Sequence, residues 1–158
     1  MTQATVPVYR LEMVRERSVH YASARCQTAS DAATVLHSLL DHADRERIYV
    51  IALNVRKTVI GVHEAASGGL NACSLRPRDV LKFALLSNAD AIILGHNHPS
   101  GDPLPSMEDI DLTRVLATAA TTVGVTLVDH VIVAPEGAYH SMHDHNEAGL
   151  GEGRREIG

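Results

Sequence analysis

The sequence predicts one α/β domain, a mixed sheet flanked by helices. Three observations carry that expectation. Short apolar runs bounded by turn residues, at 48–53, 91–95 and 125–133, alternate with windows whose apolar residues fall at helical spacing. The 158 residues fit a single domain with a sizeable core. Apolar residues make up 45% of the chain but aromatics only 3%, so the core is to be packed from Val, Leu, Ile and Ala.

In chain order, residues 1–8 read as a flexible start, 9–145 as the domain and 146–158 as a flexible tail rich in glycine. Val8 to Glu16 alternates Tyr9, Leu11 and Met13 with Arg10, Glu12 and Val14, the period of a strand. Ser30-Asp31 reads as a helix N-cap, followed by Val35, Leu36, Leu39 and Leu40 at helical spacing. Ile48 to Leu53 is a strongly apolar strand, and Asn54-Val55-Arg56-Lys57 turns it into a second strand from Thr58 to His63. Gly68-Gly69 marks a loop. Pro77 suits a helix start, with Val80, Leu81, Ala84 and Leu85 as its inward face. Ala91 to Gly95 is a buried strand. A helix from Ser106 to about Thr122 carries Ile110, Leu112, Val115, Leu116 and Ala119 on more than one face, which suits packing between the sheet and another element. Gly124 ends it. Val125 to Val133 forms a further strand, and Pro135-Glu136-Gly137 turns into a short one at Ala138 to Ser141.

Composition narrows the function classes. The net charge of −5 offers no general basic face, which disfavours sequence-independent nucleic-acid binding. No apolar run approaches the length of a membrane span, and the first residues carry no basic-then-apolar signal, so a soluble cytoplasmic protein is expected. Cys26 and Cys73 form no Cys-x-x-Cys pair and read as two thiols in a reducing compartment.

The richest run is His96-Asn97-His98-Pro99-Ser100-Gly101-Asp102-Pro103-Leu104-Pro105-Ser106-Met107-Glu108-Asp109. Side chains alternate along a strand, so His96 and His98 face one way and Asn97 the other. Three prolines and a glycine make the next segment a loop. Ser106 is a candidate N-cap, which puts Asp109 in the first turn of the following helix, where the loop can carry it back toward the strand end. Two imidazoles and a carboxylate can supply three ligands to zinc and leave a fourth position for water, the layout of a catalytic site. Zinc lowers the pKa of such a water toward ~7 and polarises a carbonyl, which with a nearby carboxylate base describes amide or isopeptide hydrolysis. The same Ser106 and Asp109 also fit a capping box, and both roles are compatible. Rival chemistries lack their motifs. There is no His-x-Glu with Pro-Cys-x-x-Cys for a zinc deaminase, no His-Glu-x-x-His, and no Gly-x-Ser-x-Gly elbow.

The pattern His-x-His, seven residues, Ser, two residues, Asp resembles the signature of the JAMM (MPN-plus) metalloproteases. The longer form His-Asn-His-Pro-Ser-Gly-Asp-Pro is similar to bacterial RadC-like JAB-domain proteins. Arg76-Pro77-Arg78-Asp79, Asn88-Ala89-Asp90-Ala91 and Asp129-His130-Val131-Ile132-Val133 resemble further segments of that family, so the likeness runs from about Tyr9 to Ser141.

The resemblance implies a three-layer MPN/JAB fold similar to cytidine deaminase. It also implies zinc ligation by His96, His98 and Asp109, an oxyanion contact from Ser106, and an upstream Glu as general base. Glu46, just before the strand 48–53, is the choice for that Glu; Glu64, after the second strand, is the rival. His130 is expected to orient a ligand or to be a satisfied core histidine. Asp102 is expected to support a ligand or to shape the loop. His140-Ser141-Met142-His143-Asp144-His145 is a second histidine-rich tract, capable of adventitious metal binding. The implied function is a zinc-dependent metallopeptidase acting on a peptide or protein substrate. The alternative is a zinc-binding accessory module in DNA repair or mobile-element biology; a metal-dependent nuclease is weaker, given the acidic balance.

Overall fold

The computed structural model describes residues 4–21, 23–40, 43–68 and 75–151. Three helices and five strands are arranged in the order α1 (Ala29–Leu40), β1 (Arg47–Leu53), β2 (Val59–Ser67), α2 (Pro77–Leu86), β3 (Ala91–Asn97), α3 (Met107–Thr122), β4 (Thr126–Val133) and β5 (Tyr139–Ser141). The strands form one mixed sheet in the order β2-β1-β3-β4-β5, with β3 and β4 parallel and the other pairs antiparallel. The α3 helix supplies the crossover that a parallel pair requires.

Alternation along the strands sorts two cores. Tyr49, Ile51, Leu53, Ile93, Val131 and Val133 pack against Leu36 and its neighbours on α1. Ile48, Val50, Ala52, Ile92 and Leu94 face α2 and α3, against Val80, Ala84, Leu112, Leu116 and Ala120. The sheet is thus the middle of three layers, the arrangement of an α/β domain buried on both faces. Strands β1 and β3 are almost wholly buried, so they read as continuous apolar runs.

Gly95 couples this packing to the histidine next to it. A Cβ at that position would lie 2.4 Å from both Leu36 methyls. The missing side chain lets α1 rest directly on β3, one residue before His96.

Several local expectations are corrected. Val8 to Glu16 forms no strand; residues 4–20 carry no regular structure and Tyr9 is 82% exposed. Period-two alternation reports a capacity to pair, and the described residues offer this segment no neighbour. Among the described residues, backbone contact with the sheet begins where the Ala24 carbonyl accepts the Val59 N–H and Arg25 bridges Thr58. The cap of α1 is not Ser30 but Thr28, whose hydroxyl accepts from the Asp31 N–H, while the Asp31 carboxylate accepts from the Gln27 and Thr28 amides. Leu85 points outward on α2, and Val115 does so on α3. The closing segment is not loose throughout, because Leu150 is buried in the α2/α3 core. Of the flexible start and tail, residues 1–3 and 152–158 lie outside the described residues, as do Gly69 and Cys73. Cys26 is a buried free thiol. None of the described helices is long and apolar enough to cross a membrane.

Candidate metal centre

Three segments converge on the α3 side of the sheet. Strand β3 delivers His96, on the same face as Ile92 and Leu94, and His98 lies just beyond the strand end. Loop 99–105 returns the chain to the N-terminus of α3, where Asp109 occupies the first turn. Glu46 lies two residues before Ile48, on the face that Ile48 shares with its ladder partner His96. Ligand atoms of Glu46, His96, His98 and Asp109 all lie within 4.8 Å of one another, and they are the one such group among the described residues. Glu64 is placed elsewhere. It pairs with Tyr49 on the α1 face, accepts the Tyr49 hydroxyl proton at 2.8 Å and stands 3.6 Å from the Arg47 guanidinium.

The hydrogen-bond network assigns the tautomers. The Thr113 hydroxyl donates to the Asp109 carbonyl at 2.6 Å, so its oxygen is left to accept the His130 Nδ1 proton at 2.5 Å. The His130 Nε2 then accepts from His96 Nδ1 at 2.7 Å. This chain leaves the His96 Nε2 as a bare lone pair. His98 Nδ1 donates to the Asp102 carbonyl at 2.8 Å, which bares its Nε2 likewise. Asp102 therefore acts through its backbone oxygen; its carboxylate accepts from the Leu104 amide.

The two bare nitrogens are 2.9 Å apart. Asp109 Oδ1 lies 3.3 Å from His96 Nε2 and Oδ2 lies 3.6 Å from His98 Nε2. Ligands about 2.0–2.1 Å from a tetrahedral zinc stand roughly 3.3 Å from one another, so these separations suit such an ion. Converging lone pairs with a carboxylate beside them call for a cation. Glu46 Oε1 is 3.7 Å from His96 Nε2.

Electrostatics agree. Burial opposes ionisation of Asp109, but the two imidazoles and the Ser106 amide outweigh it and hold the carboxyl well below the usual range. The Asp109 carboxylate, 3.6 Å from its Nε2, raises His98 above the ordinary imidazole value, so a proton and a metal cation compete for that nitrogen. Burial pushes His130 well below its ordinary value, so it stays neutral and can relay a tautomer.

Ser106 caps α3. Its hydroxyl donates to Asp109 Oδ2 at 2.8 Å and accepts from the Asp109 N–H at 3.1 Å, while its own amide donates to Oδ2 at 2.8 Å. It is exposed at the rim of the cluster. In the second histidine tract, His140 Nε2 pairs with Glu147 at 2.8 Å, and His145 donates to the Ser141 carbonyl at 2.7 Å. Sequence reasoning passes over Thr113, which precedes His130 by 17 residues and gives no local sign of their contact.

Known proteins are similar to this chain in sequence. It is 40% identical over 116 residues to a UPF0758 protein of Moorella thermoacetica, covering 73% of this chain and 50% of that one. A UPF0758 protein of Salinibacter ruber is 44% identical over 105 residues, 66% of this chain and 45% of its own length. One from Clostridium acetobutylicum is 36% identical over 124 residues, 78% and 54% respectively. The chain thus spans about half the length of the curated relatives it matches. The RadC-like JAB domain matches residues 26–148, which include all four residues of the cluster, and the chain belongs to the RadC-like JAB domain family.

Proposed function

We propose that this domain is a zinc-dependent metallopeptidase that hydrolyses a peptide or isopeptide bond in a peptide or protein substrate. The observation that carries the reading is the convergence of two imidazole lone pairs and one carboxylate, with a second carboxylate at their edge. His96, His98 and Asp109 are the residues that would hold the metal. A zinc ion there supplies an acidified water and a polarised carbonyl.

The remaining work falls to the protein. Glu46 Oε1 takes the proton of the attacking water and returns it to the leaving nitrogen, a contribution on the order of 10²–10⁴-fold for a positioned acid–base group. Ser106 turns its hydroxyl from Asp109 toward the developing oxyanion, worth about 3 kcal/mol for a well-placed donor. Two nitrogen donors and one oxygen donor suit zinc among the divalent metals, although geometry and availability also govern which ion is held.

The test is zinc content by elemental analysis together with cleavage of a peptide library. Wild-type protein should hold about one zinc per chain and cleave. Glu46→Gln should keep the zinc and lose the cleavage. Equal cleavage by both proteins, or none by zinc-loaded wild type, defeats the hydrolytic reading.

A further inference from the structure

Asn97, the residue between the two histidines, is bonded to the segment that carries Glu46. The antiparallel β1–β3 ladder ends at the pair Ile48 and His96. One step further, where the backbone no longer pairs, the Asn97 side chain takes over. Its Oδ1 accepts the Arg47 N–H at 2.8 Å, and its Nδ2 donates to the Arg45 carbonyl at 3.0 Å. A carboxamide presents the same donor and acceptor as a peptide group, so the side chain extends the ladder by mimicry. The two bonds straddle Glu46. The Glu46 carbonyl is itself held by the Gly68 N–H at 3.0 Å. Residues 44–46 form no strand of their own, so these three bonds fix the path of the chain there.

We infer that Asn97 is a positioning residue: its side-chain amide clamps the backbone on both sides of Glu46 and so holds that carboxylate against His96 and His98. The parity of the strand makes this arrangement available. His96 and His98 turn to the α3 face, and the residue between them must turn to the other. There Asn97 is 6% exposed, and its amide is satisfied by the flanks of Glu46. One tripeptide therefore carries two of the candidate metal ligands and the tether of the fourth member of the cluster.

The inference rests on the hydrolytic reading for its catalytic meaning, but the tether can be read without turnover. The probe is zinc itself, titrated into protein carrying ¹³C-labelled glutamate, with the Glu46 carboxyl signal assigned by its loss in Glu46→Gln. In wild type that signal should shift on zinc addition, together with the ring nitrogens of His96 and His98. In Asn97→Ala the histidine shifts should persist while the Glu46 shift is largely lost. Asn97→Leu removes both bonds but keeps most of the volume, and it should behave alike even if the alanine variant is unstable. Asn97→Asp keeps the acceptor for the Arg47 amide and should restore part of the response.

On the peptide cleaved best by wild type, kcat should fall on the order of 10²-fold in Asn97→Ala, the scale of a 1 Å misplacement, with KM little changed. In a Glu46→Gln background Asn97→Ala should add almost nothing. An unchanged Glu46 response in both Asn97→Ala and Asn97→Leu overturns the tether. Wild-type turnover in Glu46→Gln overturns the hydrolytic reading instead and leaves the zinc titration to decide the tether by itself.

Discussion

Two regions of this molecule are rich in histidine, and they differ in where their ring nitrogens point. In the stretch from His140 to His145, His140 Nε2 is spent on Glu147 and His145 Nδ1 on the Ser141 carbonyl, the two rings stack 4.1 Å apart, and among the described residues no group of ligand atoms converges there. Around His96 and His98 the outer nitrogens are consumed by His130 and by Asp102, and the inner ones are left facing each other. Histidine density alone does not make a metal site. What makes one is a surrounding network that fixes the tautomers so that lone pairs converge.

The comparison breaks first at the metal. His96→Ala combined with Asp109→Ala should take zinc content from about one per chain to near zero. His140→Gln combined with His145→Gln should leave it unchanged. Metal persisting in the first pair, or lost in the second, would invert the two regions. Within the cluster, Glu46→Gln should lower turnover on the order of 10²–10⁴-fold with zinc retained, as steady-state kinetics and elemental analysis together would show.

A finer test bears on the network. Thr113→Val removes the hydroxyl that fixes the His130 tautomer, and through it that of His96. Zinc affinity, measured by chelator competition, should weaken roughly 10–100-fold, the scale for outer partners of a ligand. An unchanged affinity would mean that His96 needs no orienting partner. In the other region, His140→Gln should lower stability by about 1 kcal/mol through the lost bond to Glu147, seen in urea melts, with no change in zinc affinity.

The smallest effect is a control far from both regions. Asp31→Ala leaves the Thr28 cap but removes the carboxylate that accepts from the Gln27 and Thr28 amides, and should cost on the order of 1 kcal/mol at neutral pH. The Gln27 and Thr28 amides hold the Asp31 carboxyl below its unfolded value. Its stabilisation is therefore full above the unfolded pKa and is lost as pH falls through the folded one, so the wild-type and variant melts should converge in acid.

The central strands β1, β3 and β4 are legible in the sequence because they are buried along most of their length and read as largely apolar runs, whereas half-exposed β2 is legible from the turn that precedes it. The helix starts at Pro77 and Ser106 are legible because capping chemistry is local. His96, His98 and Asp109 come together in the structure by means the sequence displays: alternation in a strand, a proline-punctuated loop and a helix first turn. Asn97 and Thr113 are not legible as supports. Asn97 meets residues about 50 positions away, and Thr113 meets His130 across the α3–β4 packing. Val8 to Glu16 misleads because an alternating pattern cannot say whether a neighbouring strand exists. Leu150 misleads because glycine-rich surroundings hide one buried side chain.

The register between β1 and β3 has a consequence of parity. Glu46 belongs to the cluster because it is an even number of residues from Ile48, the partner of His96. Both of its neighbours, Arg45 and Arg47, are cationic. A slip of the ladder by a single residue would turn Glu46 to the opposite face and bring a guanidinium to the histidines in its place. That position would then repel a metal ion. Misaligned pairing and the occupied site are electrostatically incompatible, so a bound cation would act as a proofreader of strand alignment, favouring only chains whose central strands have zipped in the correct phase.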